Sequence, residues 1–179
     1  RLVNDLFELL QQVETDMTLF FRLLAAVPVG GAADSELVEP LRRAFYAEDA
    51  FAPAQLASLA GWLRRYIARV RQDGVSTSER IARMNRANPK YVLRNYLAQQ
   101  AIDALALGDA SVMERLMAVL QRPYDEQPRH DLLADRRAEW SRNKAGVFGA
   151  VLQFLNVRPT ASRRESRAAF SRIRGSRPA

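Results

Sequence analysis

Residues 53–71 read PAQLASLAGWLRRYIARVR, and their apolar positions recur at the three- and four-residue spacing of an amphipathic α-helix. Proline at position 53 suits the first turn of a helix, where a missing N–H leaves no hydrogen bond unmade. Gly74 suits the left-handed position that follows a helix. The stretch therefore predicts a long helix with one buried face, formed by Leu56, Leu59, Ala60, Leu63, Ile67 and Val70.

Helical periodicity also precedes this stretch. Apolar stripes run over residues 2–13 and 17–24, and Asp16 between them is placed to cap or bend the chain. A further short helix is predicted over residues 41–46, with Pro40 in its first turn. Three helical segments separated by connections, one of them the loop PVGGAADS at 28–35, are thus predicted before the long helix.

Capping signals mark the starts of helices after this stretch. STSE at residues 76–79 and SVME at residues 111–114 have the pattern of capping boxes. Asn88 is a good N-cap, and with Pro89 after it we predict a helix over residues 91–107.

The fold class follows from these patterns. A last short helix is predicted over residues 132–140, and no alternation of apolar and polar residues is long enough for a strand. We therefore predict that residues 1–146 form one all-α unit of about six or seven irregularly packed helices.

Composition narrows the class of protein. The chain has 179 residues, enough for one domain with a sizeable core, and no cysteine for disulfides or thiolate metal sites. This composition is compatible with a reducing compartment, and we expect a cytoplasmic location. No apolar run reaches the roughly 18 residues that span a bilayer, so we expect no membrane partner. The helical pattern is already running at Arg1, so we expect a fragment of a longer protein.

Positive charge is concentrated at one end of the chain. The formal net charge is +7, but residues 147–179 contain seven arginines against one acidic residue. Residues 1–146 are therefore nearly neutral, and we expect no nucleic-acid partner for them.

Few residues suggest chemistry. His130 is the only histidine, and it lies in a proline-flanked stretch that favours a solvated loop over a ligand or a catalytic base. No phosphate-binding glycine loop or metal site is evident, and we assign no catalytic, cofactor-binding or metal-ligating residue. The candidates set aside are the turn Gly30–Gly31, the loop pair Glu48–Asp49, and Arg80, Arg83 and Arg86, which are interpreted as a solvated helix face rather than phosphate contacts.

The predicted helix at 91–107 carries an unusual group of polar residues. Arg94, Asn95 and Gln99 lie among large apolar residues. They either bond neighbouring loops inside this unit or dock against another domain, and the sequence leaves both interpretations open. They are our candidates for interdomain docking.

Two strings in the second half are long and unusual. They are RMNRANPKYVLRNYLAQQAID at 83–103 and RLMAVLQRPYDEQP at 115–128. Both resemble the C-terminal region of the selenoprotein O family, the SelO protein adenylyltransferases. DMTLFFRLL at 16–24 also resembles that family, and the resemblance covers most of residues 1–146.

The resemblance implies a function for the whole protein. It implies a kinase-like, or pseudokinase, fold that binds ATP and transfers AMP to protein hydroxyl groups with a divalent cation such as Mg²⁺. In the family, the lysine and the acidic metal ligands lie upstream in the kinase-like part, so no catalytic residue is carried over to this chain. We expect a helical C-terminal part that is inactive alone. Its partners would be the missing upstream domain and, in the full-length enzyme, protein substrates.

A second interpretation uses the basic end. The chain could be a stand-alone helical interaction module whose basic arm binds acidic partners or nucleic acid. The helical start and the near-neutral charge before residue 147 favour the enzyme interpretation. The upstream DNA would distinguish the two, since only an enzyme fragment requires a kinase-like reading frame there.

The basic tail itself has a separate interpretation. Members of the family tend to end in a short Cys/Ser-rich segment, which this chain lacks. VFGAVLQFLN at 147–156, written in GC-favouring codons and read one base later, gives Cys-Ser-Val-Leu-Ser-Cys-Ser-Ser and then a stop. We therefore expect residues 147–179 to be an out-of-frame, non-native tail that is disordered or partly helical.

Overall fold

The structure, a computed structural model, describes residues 1–46, 52–138 and 141. The expectations about Glu48–Asp49, the end of the last predicted helix, the boundary at residue 146 and the basic tail lie outside the described residues.

The described residues form seven α-helices and two short 3₁₀ helices. Their only strand-like feature is an isolated antiparallel bridge between Thr15 and Phe45. The all-α prediction is therefore confirmed for this part of the chain. The α-helices are α1 (Leu2–Gln11), α2 (Met17–Leu24), α3 (Asp34–Val38), α4 (Pro53–Gln72), α5 (Thr77–Ala87), α6 (Asn95–Ala106) and α7 (Ser111–Leu120), and the 3₁₀ helices are Glu39–Ala44 and Pro128–Ala134.

Helix termini with strong local signals occur where predicted. Helix α4 begins at Pro53, and Gly74 after it has φ of 64°. Asp16 caps α2 by accepting from the Leu19 N–H at 3.0 Å. Ser76 caps α5, and its Oγ accepts from the Glu79 N–H at 3.2 Å.

The start of α6 was predicted wrongly. Asn88 does not open a helix but ends α5, and its N–H donates to the Met84 carbonyl at 2.9 Å. The next residues stay outside any helix because the N–H groups of Lys90 and Tyr91 donate to the Pro123 carbonyl at 2.8 and 3.1 Å. A partner distant in sequence thus replaces the first turn that Asn88 and Pro89 would otherwise begin.

Three other helix boundaries also differ. Ser111 is the first residue of α7 rather than its cap, and Asp109 Oδ1 accepts a hydrogen bond from the Ser111 N–H at 2.9 Å. The helix predicted over residues 41–46 is the 3₁₀ helix Glu39–Ala44, which follows α3 directly. The helix predicted from residue 132 instead begins at Pro128, whose missing N–H suits a first turn, and is a 3₁₀ helix ending at Ala134.

The main core lies among α1, α2, α3, the first 3₁₀ helix and α4. Phe20 is fully buried at its centre and makes edge contacts with Phe21 and Phe45, with ring centroids 5.6 and 6.0 Å apart. The Trp62 Nε1–H donates to the Leu2 carbonyl at 2.8 Å and joins α4 to α1.

Two smaller clusters lie around α6 and α7. One contains Tyr96, Leu97, Ala101 and Leu116, and the other contains Tyr91, Val119 and Ala134.

None of the helices in the described ranges is long and apolar enough to cross a membrane.

Candidate functional site: a junction of cations

The two unusual strings of the second half meet in space. The non-helical residues 88–94 run beside the loop at 122–128, and the Pro123 carbonyl accepts from two of their N–H groups. Tyr91 is 1% exposed, and its hydroxyl donates to the Gln127 carbonyl at 3.0 Å. A single buried aromatic residue thus fixes the loop against this segment.

Helix α2 holds both segments through Arg22, whose side chain is 8% exposed. Its Nη1 donates to the carbonyls of Asn85 and Asn88 at 2.8 and 2.9 Å. Its Nη2 donates to the Tyr124 carbonyl at 3.3 Å and to Glu126 Oε1 at 2.5 Å. The planar guanidinium presents several donors in a fixed fork, so one side chain holds the end of α5 and the 122–128 loop together.

Lys90 adds a second cation to this junction. Its Nζ donates to Glu126 Oε2 at 2.6 Å and to Asp131 Oδ1 at 2.8 Å. Burial by itself lowers the pKa of Lys90, but its hydrogen bonds to the two carboxylates outweigh burial, and the pKa is raised. The Lys90 hydrogen bond lowers the pKa of Glu126, with Arg22 contributing, and likewise lowers the pKa of Asp131.

A third cation, Arg94, pairs with Asp16 at the start of α2. The two Nη atoms contact both carboxylate oxygens, and the side chains are 13% and 4% exposed. The Tyr46 hydroxyl donates to the same carboxylate at 3.4 Å, and burial raises the pKa of Tyr46. Asp16 therefore has two roles, since it also caps α2.

The three docking candidates Arg94, Asn95 and Gln99 have different surroundings in the structure. Arg94 pairs with Asp16 of the same chain, which agrees with the interpretation that these residues bond neighbouring parts of this unit. Asn95 is exposed, and Gln99 donates to Asp103 Oδ1 at 2.7 Å. Docking of Asn95 and Gln99 to another domain stays a prediction.

Comparison with known proteins identifies the family. The family model described as protein adenylyltransferase SelO matches residues 1–122. The chain belongs to the SelO family. All three cations of the junction lie within the matched residues, whereas Glu126 and Asp131 lie just beyond them.

Relatives in the SelO family are close in sequence but much longer. A protein nucleotidyltransferase YdiU of Nitrosospira multiformis is 58% identical over 81% of this chain and 29% of its own length. Those of Xanthomonas campestris pv. campestris strain B100 and Tolumonas auensis are 48% and 49% identical, over 81% of this chain and 27% of theirs. The chain thus spans less than a third of the length of these curated relatives.

Some residues of this SelO-family chain were not anticipated from sequence. Arg22 was overlooked, although a single arginine inside the apolar run MTLFFRLL was a usable signal. Arg80 was assigned to a solvated face, and this was wrong because it is 7% exposed and donates to the Val27 carbonyl at 3.1 Å. Arg83 and Arg86 are exposed as expected, whereas His130 lies partly buried on a 3₁₀ helix rather than in a loop.

Acidic and histidine side chains are dispersed. Among the described residues, no three His, Cys, Asp or Glu side chains form a group that could hold a metal ion.

Proposed function

We propose that this chain is the C-terminal helical part of a SelO-type protein adenylyltransferase, which transfers AMP from ATP to hydroxyl groups of proteins. The observation that carries this proposal is the family match over residues 1–122. The curated relatives support it, since each is named a protein nucleotidyltransferase.

Within such an enzyme, the chain would serve as scaffold rather than as catalytic centre. Transfer of a nucleotidyl group needs cations or a metal ion placed where phosphate charge develops. The cations described above, of which Arg22 is buried and Lys90 and Arg94 are partly buried, are instead held by partners within the chain: Arg22 by carbonyls and Glu126, Lys90 by two carboxylates, and Arg94 by Asp16. ATP and Mg²⁺ would therefore be bound by a kinase-like domain upstream, and the enzyme would act on cytoplasmic proteins.

The proposal is tested by incubating the purified chain with α-labelled ATP, Mg²⁺ and acceptor proteins. We expect no AMP incorporation above a heat-killed control, whereas the full-length Nitrosospira multiformis relative should label the same acceptors. Incorporation by the chain alone would place catalytic residues within it. A full-length relative that labels no protein with AMP would instead overturn the proposed reaction.

A further inference from the structure

A surface cavity of about 590 Å³ lies between the last turns of α4 and helix α5. Small-molecule sites commonly have this size, with largely apolar walls and a few convergent polar groups. Val70 and Val75 supply apolar surface to the wall. Tyr66, Arg80 and Met84 lie beside them and bring the polar atoms. We call this the α4–α5 cavity.

Arg80 is the buried cation of the α4–α5 cavity. Its Nε is buried and has no hydrogen-bond partner in the described part of the chain. The Nε atoms of Arg94 and Arg137 are in the same position, but each of those side chains forms an ion pair with a carboxylate. Among the described residues no carboxylate pairs with Arg80, which is 7% exposed. A buried cation without a countercharge is costly, so the cavity favours an anion.

Two hydrogen-bond donors in the cavity converge on one weak acceptor. Arg80 Nη1 and the Tyr66 hydroxyl each donate to Met84 Sδ at 3.4 Å. Burial raises the pKa of Tyr66 and the Arg80 charge opposes that rise, so the hydroxyl keeps its proton at neutral pH. A thioether sulfur accepts weakly, and a methionine side chain is flexible enough to move aside. An anionic oxygen in its place would receive both hydrogen bonds and strengthen them.

Two further charges line the cavity, and each has its own partner of opposite sign. Arg83 pairs with Glu79, and Asp73 pairs with Arg69. Both pairs are exposed to water, which screens them. The charge left over is the single positive charge of Arg80. It suits one anionic group rather than a polyanion.

We propose that the α4–α5 cavity binds a small organic anion, with one phosphate or carboxylate group against Arg80 and Tyr66 and an apolar body against the valines of the wall. The planar guanidinium and the hydroxyl can hold two oxygens of one such group at once. The site is separate from the proposed AMP transfer and does not depend on it, since ATP would be bound by a domain upstream.

NMR of the full 179-residue chain with ¹³C-labelled methionine methyl groups tests the proposal. Met84 lines the cavity, whereas Met17, Met113 and Met117 lie elsewhere and serve as internal controls. The chain is titrated at constant ionic strength with phenyl phosphate and with benzoate, each of which carries one anionic group on an apolar ring. Benzamide is the uncharged control.

We expect phenyl phosphate, benzoate or both to shift the Met84 methyl signal saturably, while benzamide does not. The anion that binds more tightly then identifies the head group as phosphate or carboxylate. The three control methyl signals should stay in place, because they lie outside the cavity.

Three variants assign the binding to the named donors. Arg80→Gln should raise the dissociation constant of the anion about tenfold or more, because charge-assisted hydrogen bonds are lost. Tyr66→Phe should raise it about threefold or more. Arg86→Gln removes an exposed positive charge from the same helix and should change it by less than about twofold. The control methyl signals report whether each variant is folded, and if Arg80→Gln is not, Tyr66→Phe against Arg86→Gln decides.

Three results would overturn the proposal. One is no saturable Met84 shift with either anion at tens of millimolar. Another is an equal loss of affinity in the cavity variants and in Arg86→Gln, since general charge attraction would then explain the binding. The third is benzamide bound as tightly as benzoate, since the cavity would then take an apolar ring without recognising charge.

Discussion

Buried and exposed arginines of this chain should contribute differently to its stability. Arg22 and Arg64 each pair with a carboxylate, but their side chains are 8% and 56% exposed. An exposed pair is screened by water and contributes little. The donors of Arg22 satisfy three backbone carbonyls, which would lose their partners if the side chain were removed.

Arg22→Met should therefore lower the free energy of unfolding by about 2–4 kcal/mol, because three partly buried carbonyls lose the donors of a buried side chain. Urea denaturation of the chain measures the change. Arg64→Met is the matched control and should cost less than about 1 kcal/mol. Equal losses for the two variants would contradict this prediction, since the Arg22 contacts would then stabilise the fold no more than an exposed ion pair does.

The Lys90 cluster should make stability depend on pH at both ends of the range. The pKa values of Glu126 and Asp131 are lowered, so their stabilisation is present above the unfolded values of about 4 and is lost as pH falls through the folded values. The pKa of Lys90 is raised, so its stabilisation is present below about pH 10 and is lost as pH rises through the folded value.

Glu126→Gln tests the acid side of this dependence. Its cost in free energy of unfolding should be largest near pH 7 and should shrink as pH falls below about 4, where Glu126 in the unfolded wild-type chain is itself protonated. Urea titrations of both proteins between pH 3 and pH 7 measure the difference. A difference that stays constant with pH would rule out the Lys90 and Arg22 contacts as its source.

At the scale of elements, sequence signals succeeded where the partner was local. The start of α4 at Pro53 and the caps Asp16 and Ser76 depend on residues within one helical turn, so the sequence alone predicts them. The start of α6 depends on Pro123, which lies more than thirty residues from Lys90 and pairs with it only after folding. The run Arg80, Arg83 and Arg86 likewise indicated a solvated helix face. The sequence does not reveal that Arg80 is buried, because the Val27 carbonyl that accepts its hydrogen bond belongs to a distant part of the chain.

Arg94, the residue before α6, pairs with Asp16 at the start of α2. Alanine substitutions of Arg94 and of its neighbour Asn95 should therefore have different effects on stability. In the chain alone, Arg94→Ala should cost about 3 kcal/mol, because Asp16 is left as a buried carboxylate without its cation. Asn95→Ala should cost less than about 0.5 kcal/mol, since the side chain is exposed. Thermal or urea unfolding of the two variants measures this contrast.

The same substitutions in a full-length enzyme test the docking prediction for Asn95. There Asn95→Ala should weaken stability or AMP transfer, although the residue does not contact ATP. Unchanged stability and transfer would remove Asn95 from the docking residues while leaving the role of Arg94 within the chain untouched.

In the part of the chain that the structure describes, two apolar regions are joined by polar bridges. The larger core is built from residues before position 72, and the smaller clusters involve residues after position 90. Arg22 and Arg94 both cross between these regions. A bridge of directed hydrogen bonds fixes orientation, which a plain apolar contact does less well. The second region is the smaller of the two.

The charge of the whole chain raises the last question, since residues 147–179 carry nearly all of the excess. We propose that they are translated out of frame. The relatives cover 81% of the chain, which leaves a stretch about as long as this tail unmatched, and the family match ends at residue 122. GC-rich DNA read in a chance frame tends to encode arginine, alanine, serine and proline, which dominate VRPTASRRESRAAFSRIRGSRPA at 157–179.

Sequencing the gene across the codons of Gly146 and Val147 tests this proposal. We expect the adjacent frame to encode Cys-Ser-Val-Leu-Ser-Cys-Ser-Ser followed by a stop, because the first two bases of each codon for VFGAVLQFLN are compatible with that peptide. Independent reads of the same DNA should then restore this frame. If they keep the arginine-rich frame and the adjacent frame lacks the Cys/Ser peptide, the tail is native and the proposal is wrong. In that case, its excess of positive charge would favour the interaction-module interpretation, with an acidic partner or nucleic acid bound by the tail.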